Sequence, residues 1–313
     1  MPKRIRRVVS LLPSATEIVC ALGEGARLVG RSHECDFPPE IQGLPPCTRS
    51  KIDPSRPSAA LNTEVELQLQ KGTSLYDIDR EVLRQLKPDL ILTQAQCEVC
   101  AVSEADVRAA LEHLPAGEVR MLSLSPRRLT DLWQNILDVA EALGLPDKGR
   151  EVVKQLKNRL ADLIFKTAPL RKRPSVACLE WLDPIMAAGN WVPEMVDLAG
   201  GKSVLGTAGE HSNWLTWDAL AASDPDVVIL MPCGFDLRRT ATEATALTKR
   251  REWNGLRAVR RKAVYAVDGS QYFNRPGPRL VDSVEILAEI LHPNLFEARH
   301  GAAWRHLVFA PAA

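Results

Sequence analysis

Short apolar runs that stop in polar loops recur along the chain, and each is followed by a stretch of helical periodicity. Val8-Val9-Ser10-Leu11-Leu12 is closed by Pro13, and Ser14 with Glu17 three residues on has the spacing of a capping box for a helix ending near Gly23. Arg27 to Gly30 predicts a second strand, which opens into Ser32-His33-Glu34-Cys35-Asp36. A helix over about 78–86 precedes Lys87-Pro88-Asp89, the strand Leu90 to Thr93, and a loop holding Cys97-Glu98-Val99-Cys100. A helix opening at Ser103 has Glu104 and Asp106 in its first turn, where the dipole favours them, and a strand over 119–122 follows. Residues 38–74 are rich in Pro, Ser, Thr and Gly and predict a long surface excursion; the alternation from Val65 to Leu69 suggests a short hairpin in it.

From about Leu129 to Ile164 the pattern changes to sustained helical periodicity, interrupted at Gly144 and Pro146. If mostly helical, such a segment extends on the order of 50 Å, longer than one domain needs, and reads as a strut. Beyond it the first half is repeated in outline. A strand over 175–179 ends at Glu180-Trp181, helices are expected over 192–199 and 214–221, and Asp224-Pro225-Asp226 leads into Val227 to Met231 as Lys87-Pro88-Asp89 leads into its strand. The loop Pro232-Cys233-Gly234-Phe235-Asp236 follows, then a strand over 263–267 opening into Gly269-Ser270-Gln271-Tyr272-Phe273-Asn274, and a helix over 278–291. The expected fold is α/β, with two Rossmann-like lobes joined by a single long helix. The lobes span 1–125 and 169–297, the connecting helix 126–168, and 298–313 is a loosely held tail.

The composition narrows the function classes. A hydrophobic fraction of 45% and a charged fraction of 25% are those of an ordinary globular protein, and a formal net charge of +1 gives no overall attraction to nucleic acid or membrane. Seven cysteines are scattered rather than paired in a framework, which favours reduced thiols. The apolar run after the basic N-terminus is too short for a secretory signal, so a cytoplasmic location is expected, or a periplasmic one if a leader precedes Met1. No run of about 18 apolar residues predicts a spanning helix. Walker, Gly-x-Gly-x-x-Gly, nucleophile-elbow and His-Glu-x-x-His motifs are missing, and no catalysis is expected.

Candidate chemistry collects on loops after strands, where open α/β sheets place their ligands. Cys35, Cys97, Cys100 and Cys233 are four thiols on such loops, able to hold zinc or iron, and equally readable as inert buried thiols. His33 offers an imidazole, and Glu34, Glu98, Glu180 and Asp236 offer carboxylates. Trp181, Trp214, Tyr272 and Phe273 are rings that would stack on a planar macrocycle, and Arg275 suits an anionic group on the ligand.

Four segments carry a resemblance to a known family: Arg7 to Glu17, Leu86 to Ile91, Trp191 to Gly201, and Asp224 to Ile229. They resemble the cobalamin-type substrate-binding proteins of ABC transporters, with the helical-backbone, class III periplasmic-binding-protein fold. The resemblance implies a small-molecule binding protein that clasps a corrinoid, such as cobalamin, or a metal chelate in a cleft between lobes. It also implies docking on an ABC permease through one exposed glutamate per lobe. Glu81 stands at the matching point of the first lobe; the second is expected to have Asn274 there and to lack its carboxylate. The alternative from the cysteines alone is a cytoplasmic zinc- or iron-dependent enzyme or metal-handling protein.

Overall fold

A computed structural model describes residues 4–71, 73–94, 102, 104–111 and 119–309. The chain divides into two compact units, and the division falls inside one helix, between Gln155 and Leu156.

The first unit is organised by a parallel sheet. Its strands are β1 (Val8–Ser10), β2 (Leu28–Arg31), β5 (Leu90–Gln94) and β6 (Arg120–Leu124), in the order β2-β1-β5-β6. β1 and β5 are buried along their whole length, which explains their unbroken apolar runs. Because β1 is flanked by β2 and β5, the order reverses beside it, the point at which such sheets bind ligands. A separate antiparallel pair, β3 (Thr48–Ser50) and β4 (Tyr76–Ile78), lies in the long excursion.

Helix α1 (Pro13–Ala21) starts with Pro13, whose missing N–H costs nothing in a first turn. Ser14 and Glu17 are therefore buried helix residues rather than a capping box; the cap position is Leu12, with no side-chain bond. Helix α2 (Ser58–Gln70) replaces the expected hairpin. Its Ala, Glu, Leu and Gln content favours helix, and the Val65 to Leu69 alternation marks no buried face, since Leu67 and Leu69 are exposed. Helices α3 (Arg80–Leu86) and α4 (Glu104–Leu111) follow on either side of β5. Then come α5 (Leu129–Ala142) and α6 (Pro146–Thr167), two helices where one was expected. Gly144, at φ +77°, ends the first and Pro146 opens the second.

The second unit has a mixed sheet. Parallel strands β7 (Ser175–Leu182), β11 (Val227–Leu230) and β12 (Val264–Val267) form its centre. Antiparallel β8 (Ile185–Ala187) and β10 (Asn213–Trp214) extend one edge, and the short β9 (Lys202–Ser203) pairs with the start of β7. Helices α7 (Val192–Leu198), α8 (Trp217–Ser223), α9 (Leu237–Glu243), α10 (Arg251–Gly255), α11 (Arg257–Arg260) and α12 (Leu280–Leu291) complete it. The core on one face joins Leu179, Val228, Leu230 and Val264 to Trp253, which is fully buried. Truncating such an indole to alanine costs about 3–5 kcal/mol.

Residues 299–307, expected to belong to a loose tail, are held in place. Strand β13 (Trp304–Leu307) pairs antiparallel with β12. Its approach is fastened by the buried carboxylate of Glu289, which accepts hydrogen bonds from the amides of Arg299 and His300 and from the Trp304 indole. Tyr265 stacks on His306 with ring centroids 5.0 Å apart. A polar four-residue strand at a sheet edge leaves no apolar run to read, which is why it was expected to be loose.

Candidate functional site

In the first unit the loop after β2 is built around Arg31. Its Nε donates to the Leu44 carbonyl at 3.2 Å, one terminal nitrogen to the Ser32 and Cys35 carbonyls at 3.0 and 3.3 Å, and the other to Gln42 at 3.1 Å. Four carbonyls on one guanidinium fix the loop that presents His33. The His33 amide donates to Thr48 Oγ1 at 3.1 Å, and its ring Nδ1 lies 2.8 Å from the same hydroxyl. Tyr76 packs on the ring with centroids 5.5 Å apart. Nε2 makes no hydrogen bond among the described residues and is the nitrogen left for a ligand. Burial, and then the neighbouring Arg31 charge, hold this imidazole below its ordinary pKa, so it is neutral near pH 7, the form that donates a lone pair.

Cys35 is a correction. It is 1% exposed, accepts a hydrogen bond from Thr16 Oγ1 at 3.1 Å, and sits beneath the loop rather than on its surface. A thiol so placed cannot meet a ligand or ion at the loop's outer face. Glu34 is half-buried, and its amide donates to Ser32 Oγ. Cys97, Glu98 and Cys100 lie outside the described residues. Burial also pushes up the thiols of two cysteines not proposed as ligands, that of Cys20 to about 11 and that of Cys47 to about 12.

In the second unit two loops at the carboxyl ends of the parallel strands are stitched together. Gly269 presses so closely on the other loop that an added Cβ would lie 2.4 Å from the Pro232 carbonyl oxygen. The Ser270 amide donates to the Phe235 carbonyl, and Asn274 Nδ2 donates to those of Met231 and Gly269. The segment Gly269–Phe273 closes as a π-helical turn, a form frequent at functional sites.

The expected site residues divide on this frame. Trp214, on edge strand β10, is 54% exposed and offers an open indole face. Trp181 lies within β7 rather than on a loop, with its ring 5.2 Å from that of Phe235, and its buried indole N–H has no acceptor among the described residues. Tyr272 is half-buried, and the Arg279 guanidinium stands 5.3 Å from its ring centroid. Cys233 is a half-buried free thiol.

Three residues turn out to be structural. Phe273 is fully buried, and its carbonyl accepts the Trp191 indole N–H at 2.9 Å, so it cannot stack on a ligand. Asp236 caps α9 by accepting the Arg239 amide at 2.7 Å. Glu180 is also within β7, where it accepts the Ser212 hydroxyl at 2.6 Å, and Ser212 in turn accepts the Gly189 amide.

Arg275 and Arg279 are 9% and 8% exposed and hydrogen-bond to Ser270 Oγ and Gln271 Oε1 of the π-helical turn. Asp268, which caps that turn, is raised by burial and by the Asp236 charge and is drawn back by the two arginines. Two guanidiniums gathered at a strand's carboxyl end favour an anionic group nearby. Reading the sequence found Arg275, with Arg279 as a weaker candidate for the same role, but not Arg31, Thr48 or Tyr76. The capping spacing of Asp268 and Gln271 was the one local signal for the turn.

The two units also repeat one local device. Helix α3 is capped by Asp79, which accepts the Val82 amide, and ends in left-handed Lys87 before Pro88-Asp89 and β5. Helix α8 is capped by Thr216, which accepts the Ala219 amide, and ends in left-handed Asp224 before Pro225-Asp226 and β11. Both helices have seven residues, and Glu81 and Asp218 occupy the same second position. The counterpart of Glu81 is therefore Asp218, which is exposed, and not Asn274, whose amide is engaged with the Met231 and Gly269 carbonyls.

Two α/β units on a shared backbone helix, each with ligand-type groups at the carboxyl ends of parallel strands, define a solute-binding protein of the class III fold. The family model described as periplasmic binding protein matches residues 8–270, and the chain belongs to that family. The ABC transporter substrate-binding lipoprotein YvrC of Bacillus subtilis is 26% identical over 303 residues, covering 94% of this chain and 82% of its own. A vitamin B12-binding protein of Vibrio cholerae is 23% identical over 297 residues, covering 91% and 88%. A periplasmic heme-binding protein from Pseudomonas aeruginosa superposes with a TM-score of 0.70 at 22% identity, covering 93% of this chain and 94% of the other.

Proposed function

We propose that the protein binds a tetrapyrrole-type metal chelate, with a corrinoid such as cobalamin first, and delivers it to an ABC permease. The observation that carries the ligand class is the placement of flat and metal-ligating groups at the carboxyl ends of the strands. His33 presents a neutral Nε2 in the first unit, and the second presents the open face of Trp214 together with Tyr272. Arg275 and Arg279 suit a carboxylate, amide or phosphate on the rim of such a ligand. The names of relatives that span most of this chain, a vitamin B12-binding protein and a heme-binding protein, support the same class.

Tryptophan fluorescence tests the reading, with cyanocobalamin and hemin as probes. Saturable quenching is expected with one of them, weakened about 5- to 10-fold in Trp214→Ala, as the loss of one stacked ring predicts. No quenching and no thermal shift with either probe would overturn it. The docking part rests on the matched carboxylates Glu81 and Asp218. The double variant Glu81→Lys, Asp218→Lys should bind the probe normally yet fail to stimulate the ATPase of its transporter in proteoliposomes.

A further inference from the structure

The second unit bears an exposed cationic face that ligand binding does not use. Between Lys249 and Lys262 seven side chains are cationic and one, Glu252, is anionic, in a chain whose formal charge is only +1. Arg257 is committed to Asp224 and Asp226 at 3.0 and 2.9 Å, and Arg261 lies 3.8 Å from Asp226. Lys249, Arg250, Arg251, Arg260 and Lys262 are exposed and make no ion pair among the described residues.

These cations are held on a rigid platform. Helices α10 and α11 pack on each other, and α10 packs on α8. Trp253 and Leu256 anchor the underside and are 0% and 1% exposed. Arg250 lies over the Trp217 ring at 5.4 Å. Arg251 and Arg260, separated by nine positions, line an open cavity of about 500 Å³ with Gly255, Leu256 and the carboxylates of Asp224 and Glu252, so the net positive charge of this face lies in its outer cations rather than in the cavity.

We infer that this face binds an anionic lipid surface. A patch of clustered cations gains about 1 kcal/mol per Lys or Arg at such a surface, about fivefold in affinity for each. The choice of lipid over other polyanions rests on the proposed docking. Helix α8 carries Asp218, so a protein that meets a membrane-embedded permease through that helix brings α10 and α11 toward the headgroups.

Cosedimentation with vesicles tests this without any corrinoid, so failure of the ligand reading leaves the result interpretable. Binding to vesicles of phosphatidylcholine with 30% phosphatidylglycerol is expected, with little to phosphatidylcholine alone, falling steeply with salt. Arg251→Gln, Arg260→Gln should bind about 25-fold more weakly. Lys148→Gln, Lys154→Gln removes the same charge from α6 in the first unit and should bind as the parent does. Matching thermal melts establish that both variants fold. Glu81→Lys, Asp218→Lys should still sediment, which separates this face from the docking carboxylates. No binding, equal binding to neutral vesicles, equal weakening by the α6 pair, or tighter binding to a short DNA duplex at the same ionic strength would overturn the proposal.

Discussion

Lys87-Pro88-Asp89 and Asp224-Pro225-Asp226 make the same passage from helix to strand, yet they are secured by different physics. In both, a left-handed residue ends a seven-residue helix, proline prevents its continuation, and an aspartate grips the start of the unit's first strand. Asp89 is 8% exposed and accepts the Arg6 and Arg7 amides at 2.9 and 3.0 Å. Asp226 accepts the Ser175 amide and hydroxyl at 3.0 and 2.9 Å and also pairs with Arg257. Asp224 adds two bonds from Arg257, one from its amide and one from its guanidinium, whereas Lys87 has no counterpart of that network. One backbone solution is thus held by a buried carboxylate on two amides in the first unit and by a half-exposed ionic cluster in the second.

The largest test of that contrast removes each aspartate. Asp89→Ala leaves two amides near the core without an acceptor and should cost about 2–4 kcal/mol in urea unfolding. Asp226→Ala should cost about 1–2 kcal/mol, because water reaches its partners. A larger loss for Asp226 than for Asp89 would reverse the assignment.

Acid titration separates the two further. The Arg257 amide foremost holds Asp224 below the ordinary carboxylate range, and the Ser175 amide foremost does so for Asp226. A carboxylate depressed in the folded state contributes stability that is fully present above its unfolded value near pH 4. That contribution drains as pH falls through the lower folded value. The melting temperature should therefore drop as pH falls below about 4, and Arg257→Gln should flatten the drop in part, because it removes the guanidinium and leaves both amides in place. An unchanged slope in that variant would show that the cluster does not set acid stability.

A smaller effect comes from the left-handed positions, at φ 42° for Lys87 and 32° for Asp224. Lys87→Gly relieves the strain of a Cβ there and should gain about 0.5 kcal/mol after the added chain entropy. Asp224→Gly relieves the same strain but releases Arg257, so it should destabilise. Equal signs in the two variants, measured by thermal melts, would mean that the ionic cluster is idle.

The repeat was legible in the sequence because it is written in punctuation. Pro after a helix, Asp after Pro and an apolar run next are all local signals, and they located both passages and the strands that follow. What escaped depends on partners distant in sequence. Nothing near Cys35 or Phe273 announces that one lies beneath its loop and the other carries the Trp191 hydrogen bond. Arg31 gathers carbonyls from four residues between Ser32 and Leu44, a role visible only once the loop has closed. The cap at Asp236 was open to view, since an aspartate directly ahead of helical periodicity is an ordinary N-cap. The match of Glu81 to Asp218 was likewise available by counting from the two Pro-Asp pairs, and the aromatic loop drew attention to Asn274 instead.

The smallest expected effect lies in how those two carboxylates are held. Glu81 is bridged by Arg84 at 2.8 and 2.5 Å and by Gln85 at 2.8 Å, and these bonds, with that to Arg84 foremost, bring its carboxyl down to about 2. Asp218 makes no hydrogen bond or ion pair among the described residues. Both groups stand in water, so Arg84→Ala should leave the melting temperature unchanged, in keeping with the weakness of exposed ion pairs. The titration should move all the same. Carbon-detected NMR of the variant should show Glu81 rising toward the ordinary carboxylate range. A Glu81 that stays near 2 without Arg84 would mean that the helix N-terminus, and not the bridge to Arg84, sets its charge.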